Sequence, residues 1–137
     1  MRNLKLLLLC AAIVGCAAVA VYADNSVLSK VLERYQAEGA ASFSAENGEK
    51  MWTQKFNSDE EPLIRSCTTC HGTDLSKQGS HAKTGKIIEA LAPSANPERF
   101  TDEEKIEKWF NRNCKWTLGR ECTVQEKGDF LSFLSSK

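Results

Sequence analysis

The sequence predicts an all-α protein, and three observations support this fold class. Apolar residues recur at intervals of three and four in several segments, as they do on one face of a helix. Residues that suit helix N-termini precede these segments. No segment shows the strict alternation of apolar and polar residues that indicates a half-buried strand. The 137-residue chain therefore reads as one small helical domain behind an N-terminal targeting segment.

The first 23 residues have the features of a secretory signal peptide. Arg2 and Lys5 precede an apolar stretch, and residues 21–23 fit the small-x-small rule for cleavage. A membrane anchor is one alternative, although the apolar run is shorter than the ~20 residues that span a bilayer. Lipid attachment at Cys16 is another, because the residues before it resemble a lipobox. We predict cleavage after residue 23 and export to the periplasm.

The mature chain carries almost no net charge. Cleavage removes two of the 18 basic residues and leaves all 18 acidic ones, so the formal charge is −2. This balance gives no reason to expect nucleic acid or a strongly charged membrane surface as a partner. We divide the chain into the signal peptide at 1–23, an N-terminal helical segment at 24–42 and a main domain at 43–137.

Two helices are predicted in the first part of the mature chain. The first has an apolar face at 27–35 with Ser26 as its N-cap, and residues 38–40 end it. The second follows Ser44, which suits an N-cap, and runs to about Phe56.

Two more helices are predicted near the C-terminus, each opened by a capping box in which a threonine precedes a glutamate by three residues. The two pairs are Thr101 with Glu104 and Thr123 with Glu126. Both helices carry aromatic residues on their apolar faces: Trp109, Phe110, Phe130 and Phe133. A short apolar segment at 87–91 lies before the first of them and ends at a proline.

The strongest chemical signal is the C-x-x-C-H spacing of Cys67, Cys70 and His71, which is typical of a c-type haem attachment site. Two such thiols form thioethers with the haem vinyl groups, and the histidine is then the proximal axial ligand of the iron. The chain has this motif once, so we predict one covalent haem c per chain and a haem domain at 43–137. A thiol-disulfide oxidoreductase is the alternative, but the βαβ pattern of such proteins is missing.

Cys114 and Cys122 remain in the mature chain after the haem motif is assigned. In an exported protein the simplest state of such a pair is a disulfide. It closes a loop of about nine residues, and the chain-entropy estimate for that loop is about 2.5 kcal/mol. Two free thiols are the alternative. A four-cysteine zinc site fits poorly, because the second pair lacks tight C-x-x-C spacing.

The second axial ligand of the iron is not evident from the residues alone. Electron-carrying cytochromes c often use a methionine there, yet no methionine follows His71. The candidates are His81, several lysines and Asn113. From pattern alone His81 reads as a solvated loop residue, and Asn113 reads as a helix C-terminal cap.

The order of elements resembles class I cytochrome c. In that fold an N-terminal helix with a glycine and an aromatic residue, here Gly48 and Trp52, crosses the C-terminal helix near the haem edge. Glycine costs about 1 kcal/mol relative to alanine inside a helix. We therefore expect close contact with another helix at Gly48.

A more specific resemblance is to the family of the sphaeroides haem protein and its periplasmic relatives, and it extends from about Phe43 to Leu134. It rests on three segments: 99–102, 109–114 and 119–122. The resemblance implies that Asn113 is the distal axial ligand and that Cys114 and Cys122 form a disulfide. It also implies that the reduced protein binds oxygen and other small ligands, and that a dihaem cytochrome c is its electron-transfer partner.

The predicted function is therefore a periplasmic c-type cytochrome that transfers electrons and reversibly binds a diatomic ligand such as oxygen or nitric oxide. Its partner is a dihaem or membrane-bound cytochrome. The alternative is a plain electron carrier with a fixed sixth ligand such as His81. A small haem enzyme would need acid or base groups in the distal pocket, and the sequence does not identify any; we predict no enzymatic activity.

Overall fold

The computed structural model describes residues 26–57 and 64–137. The predicted signal peptide at 1–23 lies outside these residues. Five helices and one two-stranded antiparallel hairpin form the described structure, in the order α1 Ser26–Ala37, α2 Ala45–Thr53, α3 Thr68–His71, β1 Gly79–Ser80, β2 Ile87–Ile88, α4 Glu103–Leu118 and α5 Val124–Ser135. No helix among the described residues is long and apolar enough to cross a membrane.

Helices α2 and α5 cross at close range. A Cβ atom at Gly48 would overlap the carbonyl oxygen of Asp129 and would lie 2.8 Å from the Cβ of Phe133. The expected close helix contact at Gly48 is therefore confirmed. One turn further along α2, the ring of Trp52 packs against the rings of Phe130 and Phe133, with centroids 6.4 and 6.1 Å apart. The haem motif packs against this crossing, because the ring of Trp52 also contacts that of His71.

Two of the four predicted helix N-caps are confirmed. Ser44 accepts a hydrogen bond from the backbone of Asn47, and Thr123 and Glu126 form the predicted capping box. The box predicted at Thr101 is wrong. Asp102 is the N-cap of α4 and accepts from the backbone of Lys105 at 3.0 Å.

The physical reason for that error lies in the chain before α4. The hydroxyl of Thr101 donates to the carbonyl of Glu98 at 2.8 Å, so it is already used in the preceding turn. Two other boundaries differ slightly from prediction. Helix α1 begins at Ser26 itself, and α2 ends at Thr53 because Phe56 leaves the helix to form an isolated antiparallel bridge with Arg65.

The β1–β2 hairpin is a feature that the sequence did not reveal. Gly79 pairs with Ile88 and Ser80 pairs with Ile87, so each strand is too short to show an alternating pattern. A Cβ at Gly79 would overlap the carbonyl oxygen of Cys70 and would lie 3.0 Å from the Cα of His71. The hairpin is thus packed directly on the backbone of the haem motif.

Helix α1 is fixed to the rest of the domain by apolar and ionic contacts. Val31 and Tyr35 are fully buried against Ile106 of α4 and Leu131 of α5. At the edge of this cluster the carboxylate of Glu107 accepts from three donors on α1 and α5: Arg34 Nη2 at 2.5 Å, the Tyr35 hydroxyl at 2.6 Å and Lys127 Nζ at 2.8 Å. These contacts hold α4 at its N-terminal half.

Candidate haem site

The C-x-x-C-H motif forms a single helical turn. Helix α3 covers Thr68–His71, and the backbone N–H of His71 donates to the carbonyl of Cys67 at 3.1 Å. Residues three apart in a helix lie on one face, so both thiols lie on the same side of the turn. The buried Ser66 attaches this turn to α2, since its hydroxyl donates to the carbonyl of Trp52 at 3.2 Å.

Both motif cysteines are free and half-buried. Burial raises the pKa of the Cys67 thiol to about 12, and the side chain of Thr117, which lies beside it, partly opposes that shift. The Cys67 thiol is therefore protonated at neutral pH. Thr117 belongs to α4 and is itself buried, so this contact joins the motif to that helix.

His71 presents a neutral imidazole. Burial, and secondarily the positive charge of Arg99, lower its pKa to about 4. Its ring lies 5.4 Å from the ring of Trp52 at an angle of 42°. Within the described part of the chain no hydrogen bond to the imidazole is found. A neutral ring nitrogen with a free lone pair is the form in which histidine binds a metal.

These residues fit a covalent c-type haem. Two reduced thiols on one face of a turn supply the attachment points, and the adjacent neutral imidazole supplies an iron ligand. The indole Nε1 of Trp52, beside His71, is buried without a hydrogen-bond partner in the described structure. Cys67 and Cys70 would hold the haem, and His71 would bind the iron on the proximal side.

Asn113 lies on α4, exposed, four residues before Thr117. Residues four apart share one face of a helix and are separated by about 6 Å along its axis. Because Thr117 lies beside Cys67, this face of α4 is directed toward the motif. The interpretation of Asn113 as a helix cap is wrong: α4 continues to Leu118 and ends at Gly119, which has a left-handed conformation.

The C-terminal half of α4 is held at two further points. Cys114 is joined to Cys122 with an S–S distance of 1.98 Å and a Cα–Cα distance of 5.6 Å, and both are buried. Arg65, which precedes the motif, donates to the carbonyl of Trp116 at 2.9 Å and places its guanidinium over that indole ring. Sequence reasoning missed Arg65 and Thr117, since neither belongs to a recognisable motif.

His81 occupies the turn of the hairpin and is exposed. Its backbone N–H donates to the carbonyl of Lys86 at 2.9 Å. Its Nδ1 accepts from the backbone N–H of Thr84 at 3.3 Å and lies 3.1 Å from the hydroxyl of that residue. The side chain thus closes its own loop.

Comparisons with known proteins find relatives of this chain among c-type cytochromes. Residues 38–134 match the model of a family described as a domain of unknown function, DUF1924. Cytochrome c-type protein SHP of Cereibacter sphaeroides is 41% identical over 117 residues, which cover 84% of this chain and 88% of that protein. Cytochrome c'' of Methylophilus methylotrophus is 34% identical over 91 residues, covering 66% of this chain and 62% of that protein.

Two solved structures are similar to the whole fold. Oxidized SHP, described as an oxygen-binding cytochrome c, has a TM-score of 0.70 and 42% identity, covering 80% of this chain and 96% of that one. Oxidized cytochrome c'' from Methylophilus methylotrophus has a TM-score of 0.72 and 30% identity, covering 83% of this chain and 97% of that one. The predicted helical cytochrome fold is confirmed.

Proposed function

This chain belongs to the DUF1924 family and to the family of cytochrome c-type protein SHP, and from this membership we propose that it is a periplasmic electron-transfer protein that reversibly binds a diatomic ligand, with Asn113 as the exchangeable distal ligand. As a c-type cytochrome it carries covalently bound haem c with iron. The single C-x-x-C-H motif supports one haem per chain. The haem supplies one-electron redox chemistry and a coordination position for a small ligand.

The position of Asn113 is the observation that carries the proposal. This residue shares a helix face with Thr117, which lies beside the first haem-binding thiol. It directly precedes Cys114, whose link to Cys122 restrains the end of α4. These restraints support Asn113 as the distal ligand, because they hold its part of α4 next to the haem motif.

The chemistry of the amide group supports an exchangeable ligand. An amide oxygen is a hard, neutral donor, which suits ferric iron better than the softer ferrous iron. In the haem-loaded protein, reduction would therefore weaken a bond between the iron and Asn113 and would favour its replacement by oxygen or nitric oxide. No methionine follows His71 to compete as a stronger ligand.

The description of a solved relative supports a diatomic gas as the ligand. One solved relative is described as an oxygen-binding cytochrome c, and its chain is 96% covered by this one. We extend that property to this protein and propose oxygen or nitric oxide as the ligand. We further propose a dihaem or membrane-bound cytochrome as the electron-transfer partner.

The test is a comparison of Asn113→Ala with Asn111→Ala in the purified haem-loaded protein. Asn111 is also an exposed asparagine of α4, but it lies two residues earlier and faces another direction. We expect the ferric absorption spectrum to change in N113A and to match wild type in N111A. We expect the ferrous wild-type protein to be high-spin and to bind carbon monoxide readily.

A ferrous protein that is low-spin and does not bind carbon monoxide would contradict the exchangeable ligand and favour the plain electron carrier. Identical ferric spectra for N113A and wild type would show that Asn113 is not a ligand of the iron. The covalent haem itself is checked separately, since the pyridine haemochrome spectrum does not depend on the distal ligand.

A further inference from the structure

Arg99 is a cation whose position is fixed by backbone carbonyl groups. Its Nε donates to the carbonyl of Ala90 at 2.7 Å, and its Nη2 donates to the carbonyl of Glu89 at 2.9 Å. The turn that carries it is closed by its own N–H, which donates to Asn96 at 3.0 Å. The next residue, Phe100, has a φ of 62°, which is uncommon for a bulky side chain. Several interactions thus hold this segment in one conformation.

The segment that holds Arg99 is packed against the chain that directly follows the haem motif. The backbone N–H groups of Leu91 and Ala92 donate to the carbonyl of Leu75 at 3.0 and 2.9 Å. Leu75 follows His71 by four residues and belongs to the same buried cluster as Trp52, whose ring lies against that of His71. Hydrogen bonds and packing thus connect the Arg99 segment to the surroundings of His71.

We propose that Arg99 is a fixed, partly desolvated positive charge that raises the reduction potential of the haem attached at Cys67, Cys70 and His71. Reduction adds one electron to the iron and lowers its charge by one. A nearby cation destabilises the ferric state more than the ferrous state. The effect is larger for a cation partly removed from water than for one on the surface, because solvent and salt screen it less.

The inference depends on haem attachment and not on the identity of the distal ligand. If Asn113 is not the distal ligand, the proposal for Arg99 still stands. If Arg99 does not affect the potential, the proposal for Asn113 still stands. The two proposals are nevertheless connected in effect. A higher potential keeps more of the protein ferrous, which is the state in which we propose that a diatomic ligand binds.

The test is a spectroelectrochemical titration of the haem-loaded protein and four variants: R99Q, R99M, R99K and K105Q. R99Q and R99M remove the positive charge, and R99K keeps it on a lysine side chain. Lys105 is the matched control, because it is an exposed cation of α4 that pairs with a surface carboxylate, Asp102, at 3.2 Å. We expect R99Q and R99M to lower the midpoint potential by clearly more than K105Q does, and R99K to stay near wild type.

Two results would overturn the proposal. One is a midpoint potential in R99Q and R99M that moves no further than that in K105Q. The other is an equal drop in R99K and in the neutral variants together with equal loss of thermal stability, which would assign Arg99 a purely structural role. Should neither neutral variant retain haem, R99K decides alone: a potential near wild type supports the proposal, and a drop contradicts it.

Discussion

Gly48 of α2 faces the carbonyl oxygen of Asp129 on α5 so closely that any side chain at position 48 would overlap it. The contact is with backbone atoms, so no rotamer change relieves it. This crossing supports Trp52, and through Trp52 it supports His71. The crossing of α2 and α5 therefore supports the side chain that we propose as the proximal haem ligand.

Gly48→Ala is expected to destabilise the protein although alanine is the better helix former. Helix propensity alone favours alanine by about 1 kcal/mol. Overpacking in a well-packed core lowers the free energy of unfolding by about 1–3 kcal/mol or more. Because alanine at position 48 would overlap a backbone carbonyl, we expect a loss near the upper end of this range. Denaturant unfolding measures the difference, with the exposed neighbour Asn47→Ala as control. A G48A protein as stable as wild type would contradict the crossing described above.

Glu107 is expected to make stability depend on pH in the acidic range. Burial alone would raise the pKa of Glu107, but hydrogen bonds from Lys127, Tyr35 and Arg34 lower it to about 2. A carboxylate with a lowered folded-state pKa stabilises the protein above its unfolded pKa of about 4.5, and this contribution is lost as the pH falls toward 2.

Wild type should therefore be more stable than Glu107→Gln at pH 7, and the gap between the two melting temperatures should narrow between pH 4.5 and 2.5. Thermal melts across this range measure the gap. Glu104→Gln, an exposed carboxylate on the same helix, serves as the control. A gap that is independent of pH would show that packing, and not charge, accounts for the role of Glu107.

The link between Cys114 and Cys122 is expected to be present in the exported protein. Peptide mapping by mass spectrometry without reduction should find the two cysteines in one linked fragment. The double variant C114S/C122S should keep its haem but lose stability, by about 2.5 kcal/mol from the chain-entropy estimate for this loop. Recovery of two alkylatable thiols from the native protein would contradict the prediction.

The haem is expected to remain attached through acid-acetone extraction. Thioether bonds to Cys67 and Cys70 survive conditions that remove a non-covalent haem. Cys67→Ser should leave one thioether and shift the pyridine haemochrome band, whereas C114S/C122S should not shift it. Colourless protein after extraction, from a host that matures cytochromes c, would refute covalent attachment.

His81→Ala is expected to leave the ferric and ferrous spectra unchanged. The ring of His81 is exposed and closes its own hairpin turn through Thr84. A spectral change in H81A comparable to that in N113A would instead favour His81 as a fixed sixth ligand. Measuring both variants in one series separates the two functions proposed from the sequence.

The sequence by itself determined the chemistry and much of the local structure. The spacing of Cys67, Cys70 and His71 predicted a haem motif, and residues of one helical turn lie together through local geometry alone. The helix starts at Ser44 and Thr123 were correct for a similar reason. Capping depends on hydrogen bonds between residues only three apart, so the sequence contains all the groups involved.

Only the tertiary structure decided what lies around that motif. Thr117 beside Cys67, the backbone of Leu91 and Ala92 on Leu75, and Gly79 on Cys70 are contacts between different segments of the chain. Pattern alone gave Asn113 as a C-terminal cap, whereas α4 continues to Leu118 and ends at Gly119. Local patterns report hydrogen bonds within a turn. The surroundings of the haem depend on which helix faces pack together, and long-range burial sets that packing.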